Sequence, residues 1–253
     1  MSKPVLLIRA DNNELDAQAL AELAIETLID PYLTISIASD SATAGELLAT
    51  LLASAHSAPR QSWLIATSVN AINYWAKIIG RELLQQSIAA HPALKFAAIG
   101  EATAQVLREF GAQTVLLPGS ADSQTLAQLL LTQEKSGVAI IPAGNIAMRN
   151  LPTTLLGAGW KISSGIVYET AQVKIAPASV KLIEENAIAA IVFRSPSAVR
   201  ALTHFIPSPS TPLICAGQTT ARALAAVGLL ASAISSTPSS SQIAVTVANL
   251  LGR

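Results

Sequence analysis

Short apolar runs alternate along this chain with segments whose apolar residues return every three or four positions, so strands and amphipathic helices take turns. Residues 4–8 read as a buried strand followed by a polar turn, where Asn12 or Asn13 can cap a helix. The buried face of that helix is marked by Leu20, Leu23, Ala24 and Leu28, and Asp30-Pro31 stops it. Residues 32–38 alternate as a strand. Helices are then expected at 44–55, 70–84, 103–110, 123–133 and 146–156, and strands at 63–66, 96–99, 114–117 and 138–141. An extended return covers 161–169. Helices at 177–186, 198–205, 220–227 and 242–251 and strands at 190–193 and 212–215 complete the pattern. The fold class is α/β, with parallel sheets covered on both faces.

The pattern also repeats. WLIATSVNA, from Trp63, matches IVFRSPSAVRA, from Ile191, pairing Ser68 with Ser195 and Asn70 with Ser197. FAAIGEATAQVLREFG, from Phe96, matches LICAGQTTARALAAVG, from Leu213, pairing Gly100 with Gly217 and Thr103 with Thr220. DSQTLAQLL, from Asp122, echoes SSQIAVTVANLL, from Ser240. The opening KPVLLIRADNNELDAQALAELA finds its partner only at GVAIIPAGNIAMRNLPTTLLGAGW, from Gly137. That displaced pair implies one domain inserted into another: residues 1–37 with 172–253 form a discontinuous domain, and 38–171 an inserted one. Two crossing segments, near 36–40 and 167–174, would leave a cleft between them.

Composition narrows the function. Of 253 residues 51% are hydrophobic and 13% charged, which supplies ample core. Lys plus Arg equals Asp plus Glu at 16 each, and the few aromatics do not interleave with basic residues, so nucleic acid is not an expected partner. The single cysteine, Cys215, sits in an apolar strand and reads as an inert buried thiol. The longest low-charge apolar stretch, 223–234, is too short to span a bilayer, and the N-terminus has no signal-peptide pattern. A cytoplasmic protein with no membrane partner is expected.

Ligands of open α/β sheets bind beyond the C-terminal ends of the strands. Here those exits are 9–13, 67–70, 100–103, 142–145, 194–197 and 217–220. Small and hydroxyl residues dominate them, and several open a helix, whose N–H groups and dipole favour an anion. Plain helix capping is the alternative for each. Arg9, Arg149 and Arg194 lie near the exits and suit a carboxylate or phosphate, or else sit solvated at the surface. Tyr168 lies on the crossover, where a phenol can donate a proton or pack at the domain joint. P-loop, dinucleotide, HExxH and GxSxG motifs are absent, and His56, His91 and His204 are scattered.

A strand followed by TSxNA, then IGxxTA, then a late YET, with SPSAVRAL and AGQTTARAL in the second copy, resembles the uroporphyrinogen-III synthase family over nearly the whole chain. The resemblance implies two flavodoxin-like domains joined by a two-stranded linker. It implies closure of linear hydroxymethylbilane to uroporphyrinogen III, with ring D inverted and water lost, through a spirocyclic pyrrolenine and without a cofactor. Tyr168 is carried over as the catalytic residue assisting hydroxyl departure. The expected substrate-binding set is Arg9, Thr67, Ser68, Asn70, Gly100, Glu101, Thr103, Gly144, Asn145, Arg149, Arg194, Ser195, Ser197, Gly217, Gln218, Thr219 and Thr220, with no metal ligand. The expected partner is hydroxymethylbilane, received by a monomer in transient handover from the preceding pathway enzyme. The N-terminal turn reads RADNNE, where many members have proline after the arginine. A two-lobed, non-catalytic cytoplasmic binding or sensor protein is the alternative.

Overall fold

The run after Pro4 becomes β1 (Val5–Leu7), and every residue of it is buried. It opens a computed structural model that describes residues 3–55, 61–120, 122–146 and 150–253. Next come α1 (Glu14–Ala21), β2 (Thr27–Ile29) and β3 (Leu33–Ile37). The middle of the chain forms α2 (Ala42–Ser54), β4 (Gln61–Ala66), α3 (Val69–Ile79), α4 (Arg81–Ala89), β5 (Lys95–Ala98) and α5 (Glu101–Glu109). It continues through β6 (Val115–Leu116), α6 (Ser123–Gln133), β7 (Gly137–Gly144), α7 (Asn150–Gly157) and β8 (Lys161–Gln172). The last part supplies α8 (Ser179–Glu184), β9 (Ala190–Phe193), α9 (Pro196–Phe205), β10 (Leu213–Cys215), α10 (Gln218–Ala226), β11 (Ala233–Ile234) and α11 (Ser240–Leu251).

Two compact units result: Met1–Ile35 with Ala171–Arg253, and Ser36–Thr170. The first holds a parallel sheet ordered β11-β10-β9-β1-β2. The second sheet is ordered β3-β8-β7-β4-β5-β6, with β8 through β6 parallel. When β7 and β8 take the places of β1 and β2, the order β8-β7-β4-β5-β6 mirrors β2-β1-β9-β10-β11. Each is the flavodoxin-type order 2-1-3-4-5, and in the second unit the opening pair comes last in sequence. The displaced repeat from Gly137 is therefore a permutation of one architecture.

Successive strand residues face opposite sides, so each sheet has two cores. In the first unit Leu6, Ile8, Ile191, Phe193 and Cys215 pack on one face, and Val5, Leu7, Val192 and Ile214 on the other. In the second, Leu64, Ala66, Trp75 and Phe96 lie opposite Trp63, Ile65, Ala97 and Ile141.

Several elements depart from the sequence pattern. The first helix ends at Ala21, and the expected turn containing Leu28 is strand β2. Ala24 has φ 55 and the Ile25 N–H returns to Leu20 O, closing the helix so that the β-branched pair Thr27 and Ile29 can extend. The helix expected at 70–84 is two helices, broken at Gly80 with φ 98. Ala233–Ile234 forms an edge strand on β10 that the sequence pattern did not mark. Asn13 occupies the N-cap of α1 without capping it, because its side-chain amide donates to Arg9 O. The helix expected from 146 is described from Asn150 onward. Among the described residues no helix is long and apolar enough to cross a membrane.

Candidate functional site

The repeated strand-to-helix junctions fold alike. Ser68 (φ −159, ψ 154) and Ser195 (φ −155, ψ 157) are both extended, and each hydroxyl accepts from the backbone N–H three residues on, at 3.1 Å and 3.3 Å. Gly100 and Gly217 precede α5 and α10 with no side-chain cap, so those helices present their first N–H groups unclaimed by a side chain. Thr103 and Thr220 are only 5% and 4% exposed; their place is inside the first helical turn rather than at its tip. Gln218 and Thr219 are exposed there, and Ser197 lies with its hydroxyl 2.9 Å from that of Ser195. Glu101 is exposed, and its carboxylate accepts from Arg108 at 2.5 Å. Thr67 and Asn70 flank Ser68, both half-buried.

Tyr168 reaches the first of these junctions. It sits on β8 opposite Gly144, where the β7–β8 register shifts between Ala143 and Gly144. Its phenol oxygen lies 3.1 Å from Ser68 Oγ, and its ring lies 5.7 Å from that of Tyr74, at 35°. A Cβ added at Gly144 would come within 2.7 Å of both Cε2 and Oη of Tyr168. The Asn145 N–H donates to Tyr168 O at 3.1 Å. The Asn145 side chain accepts from Thr170 N at 2.9 Å and donates to Thr170 O at 3.2 Å.

A cavity of about 530 Å³ lies at these strand ends and is lined by Thr67, Gly144 and Asn145 together with Ser39, Asp40, Thr43 and Glu169. Glu169 accepts from Ser39 N at 3.2 Å and Ser39 Oγ at 2.8 Å, and these bonds hold its carboxyl below the usual range. Sequence reasoning missed this acidic rim. Its one local signal was the middle letter of YET.

In the other unit Arg194 is neither a free anion receptor nor a solvated surface group. Its guanidinium donates to Asp16 at 3.0 Å and to Pro238 O at 2.7 Å; the side chains of Arg194 and Asp16 are 18% and 1% exposed. Burial lowers its proton affinity, Asp16 opposes that, and nearby Arg9 adds to it. Arg9 itself donates to Asn12 O at 3.3 Å. The expected set thus falls into two groups. Thr67, Ser68, Asn70, Gly100, Glu101, Thr103, Gly144, Asn145 and Tyr168 belong to one unit, and Arg9, Arg194, Ser195, Ser197, Gly217, Gln218, Thr219 and Thr220 to the other. Arg149 and His56 lie outside the described residues. Cys215 is buried, which pushes its thiol up to about 11 and suits the inert reading. Among the described residues no three His, Cys, Asp or Glu side chains converge as a metal site.

Comparison with known proteins bears on this geometry. The sequence profile of the family described as uroporphyrinogen-III synthase HemD matches residues 15–244. A mutant uroporphyrinogen III synthase from Thermus thermophilus is similar in fold, with TM-score 0.66, 17% identity and 99% of each chain covered. So is uroporphyrinogen-III synthetase from Helicobacter pylori, with TM-score 0.61, 18% identity, and 98% of this chain and 99% of that one covered.

Proposed function

This chain belongs to the uroporphyrinogen-III synthase family, and from that membership we infer how its residues serve the family's reaction. The reaction is a cofactor-independent closure of hydroxymethylbilane to uroporphyrinogen III, with ring D inverted and water lost. The pyrrole nitrogen lone pair expels the hydroxyl. The Tyr168 phenol gives its proton to the departing oxygen, which leaves as water with the C–O electron pair. The electrophilic carbon left behind is attacked by the substituted carbon of ring D, giving the spirocyclic pyrrolenine that rearranges to the type III ring. Proton loss at ring closure restores the phenol.

Ionisation is easy for such a substrate, so holding ring D against the wrong attack is the larger task. Carboxylate arms suit the backbone N–H groups of the helices that follow Ser68, Gly100, Ser195 and Gly217, with the side chains of Asn70, Ser197, Gln218 and Thr219 beside them. The observation carrying the reading is the Tyr168 phenol held 3.1 Å from the Ser68 hydroxyl at the N-terminus of α3. The reading includes a cytoplasmic monomer that takes the labile bilane by transient handover from the enzyme that makes it.

Freshly made hydroxymethylbilane supplied to the protein should yield type III product above the spontaneous type I background. Type I alone would sink the assignment. Tyr168→Phe should lower turnover several-fold, about three- to tenfold, with the circular dichroism spectrum retained. Unchanged turnover would remove Tyr168 from the chemistry.

A further inference from the structure

We propose that Ser68 and Gly144 are positioning residues that hold the Tyr168 phenol so that its own proton points away from the protein. The proposal rests on the reading of Tyr168 as the acid. A serine hydroxyl has one donor and two acceptor sites. Ala71 N–H fills one acceptor of Ser68 at 3.1 Å, and the phenol oxygen of Tyr168 stands at 3.1 Å. If the phenol donated to Ser68, its proton would be spent inside the protein. With Ser68 donating, the phenol proton is left for a departing hydroxyl, and the phenolate that forms already has a donor.

The other copy of the junction is an internal control. Ser195 has the same backbone angles and the same capping bond, but its hydroxyl meets Ser197 Oγ at 2.9 Å. Capping alone therefore does not call for a phenol. Gly144 supplies the space. A methyl group there would come within 2.7 Å of Cε2 and Oη, and Tyr74 flanks the ring. Asn145 fixes the strand behind it through Tyr168 O and both backbone groups of Thr170.

A double-mutant cycle with NMR tests this. Ser68→Ala should lower kcat about three- to tenfold and change KM less than about twofold, and Ser68→Thr, which keeps cap and hydroxyl, should recover most of the loss. In the Tyr168→Phe background Ser68→Ala should cost less than a further twofold or so. Losses that multiply, or a raised KM at constant kcat, would overturn the proposal by making Ser68 a direct substrate ligand. The ¹³Cζ resonance of Tyr168, assigned by its loss in Tyr168→Phe, should move in Ser68→Ala and return in Ser68→Thr. If Tyr168→Phe leaves turnover unchanged, the acid reading fails by itself. The held phenol is then judged on that resonance, and an unmoved one overturns it. Gly144→Ala should lower Tm in the parent but by less than about 1 °C in a Tyr168→Ala background. An equal fall in both would overturn the space argument.

Discussion

At the scale of single residues, the clearest lesson comes from Arg194. Its position after a strand suggested a carboxylate receptor, yet it is tied to Asp16, and the partners stand 178 residues apart in sequence. No local pattern could announce that pair. Removing one member of a buried pair strands the other in low dielectric. Arg194→Met should therefore cost the unit roughly 3–5 kcal/mol in urea unfolding, and the double variant Asp16→Leu/Arg194→Met should regain most of it. A variant that unfolds normally but needs more substrate would assign Arg194 to substrate binding instead. Tyr168, in contrast, was legible because a short motif named it. Ser39 and Asp40, which line the cavity with Thr67, Gly144 and Asn145, belonged to no motif and became visible only when β8 came to lie beside β3 and β7.

At the scale of elements, caps and breaks decide how well the pattern reads. Ser68, Asp122, Ser195 and Ser239 all accept from the backbone as N-caps, and all four precede helices whose starts the sequence pattern places within two residues. The errors fell where the apolar period ran on through a backbone break, at Ala24 and Gly80, since periodicity does not register a positive φ. Strand β11 was lost because Ala233–Ile234 sits between serines and forms no apolar run, whereas the equally short β6 lies in the run TVLL. Asp122 makes a cap testable. Bonds from Ser120 Oγ, Thr125 Oγ and Thr125 N hold its carboxyl down from 3.8 to about 2. The folded value lies below the unfolded one, so this contribution is complete above about pH 4 and fades as pH falls towards 2. Asp122→Ala should lower Tm by roughly 2–4 °C at neutral pH, with the gap closing near pH 2. A gap constant across that range would mean the carboxylate is not the acting group.

At the scale of the whole molecule, the repeats revealed a doubled architecture because matching junctions keep their spacing, and the sheet orders explain why one pair was out of sequence. Charge belongs to this scale as well. The substrate of the family is a polycarboxylate, but the chain carries 16 basic and 16 acidic side chains, so its long-range field is weak. Asp40 and Glu169 even place acidic side chains at the cavity that Thr67, Gly144 and Asn145 line. On the reading proposed above, attraction is short-ranged, from helix N–H groups that act within a turn of the chain and from neighbouring hydroxyls. Raising ionic strength from about 20 to about 200 mM should lower kcat/KM less than about threefold, since there is little steering to screen. The measurement is initial-rate formation of type III product at fixed pH. A fall of tenfold or more would mean that basic side chains, Arg9 the first candidate, gather the carboxylates despite the neutral whole.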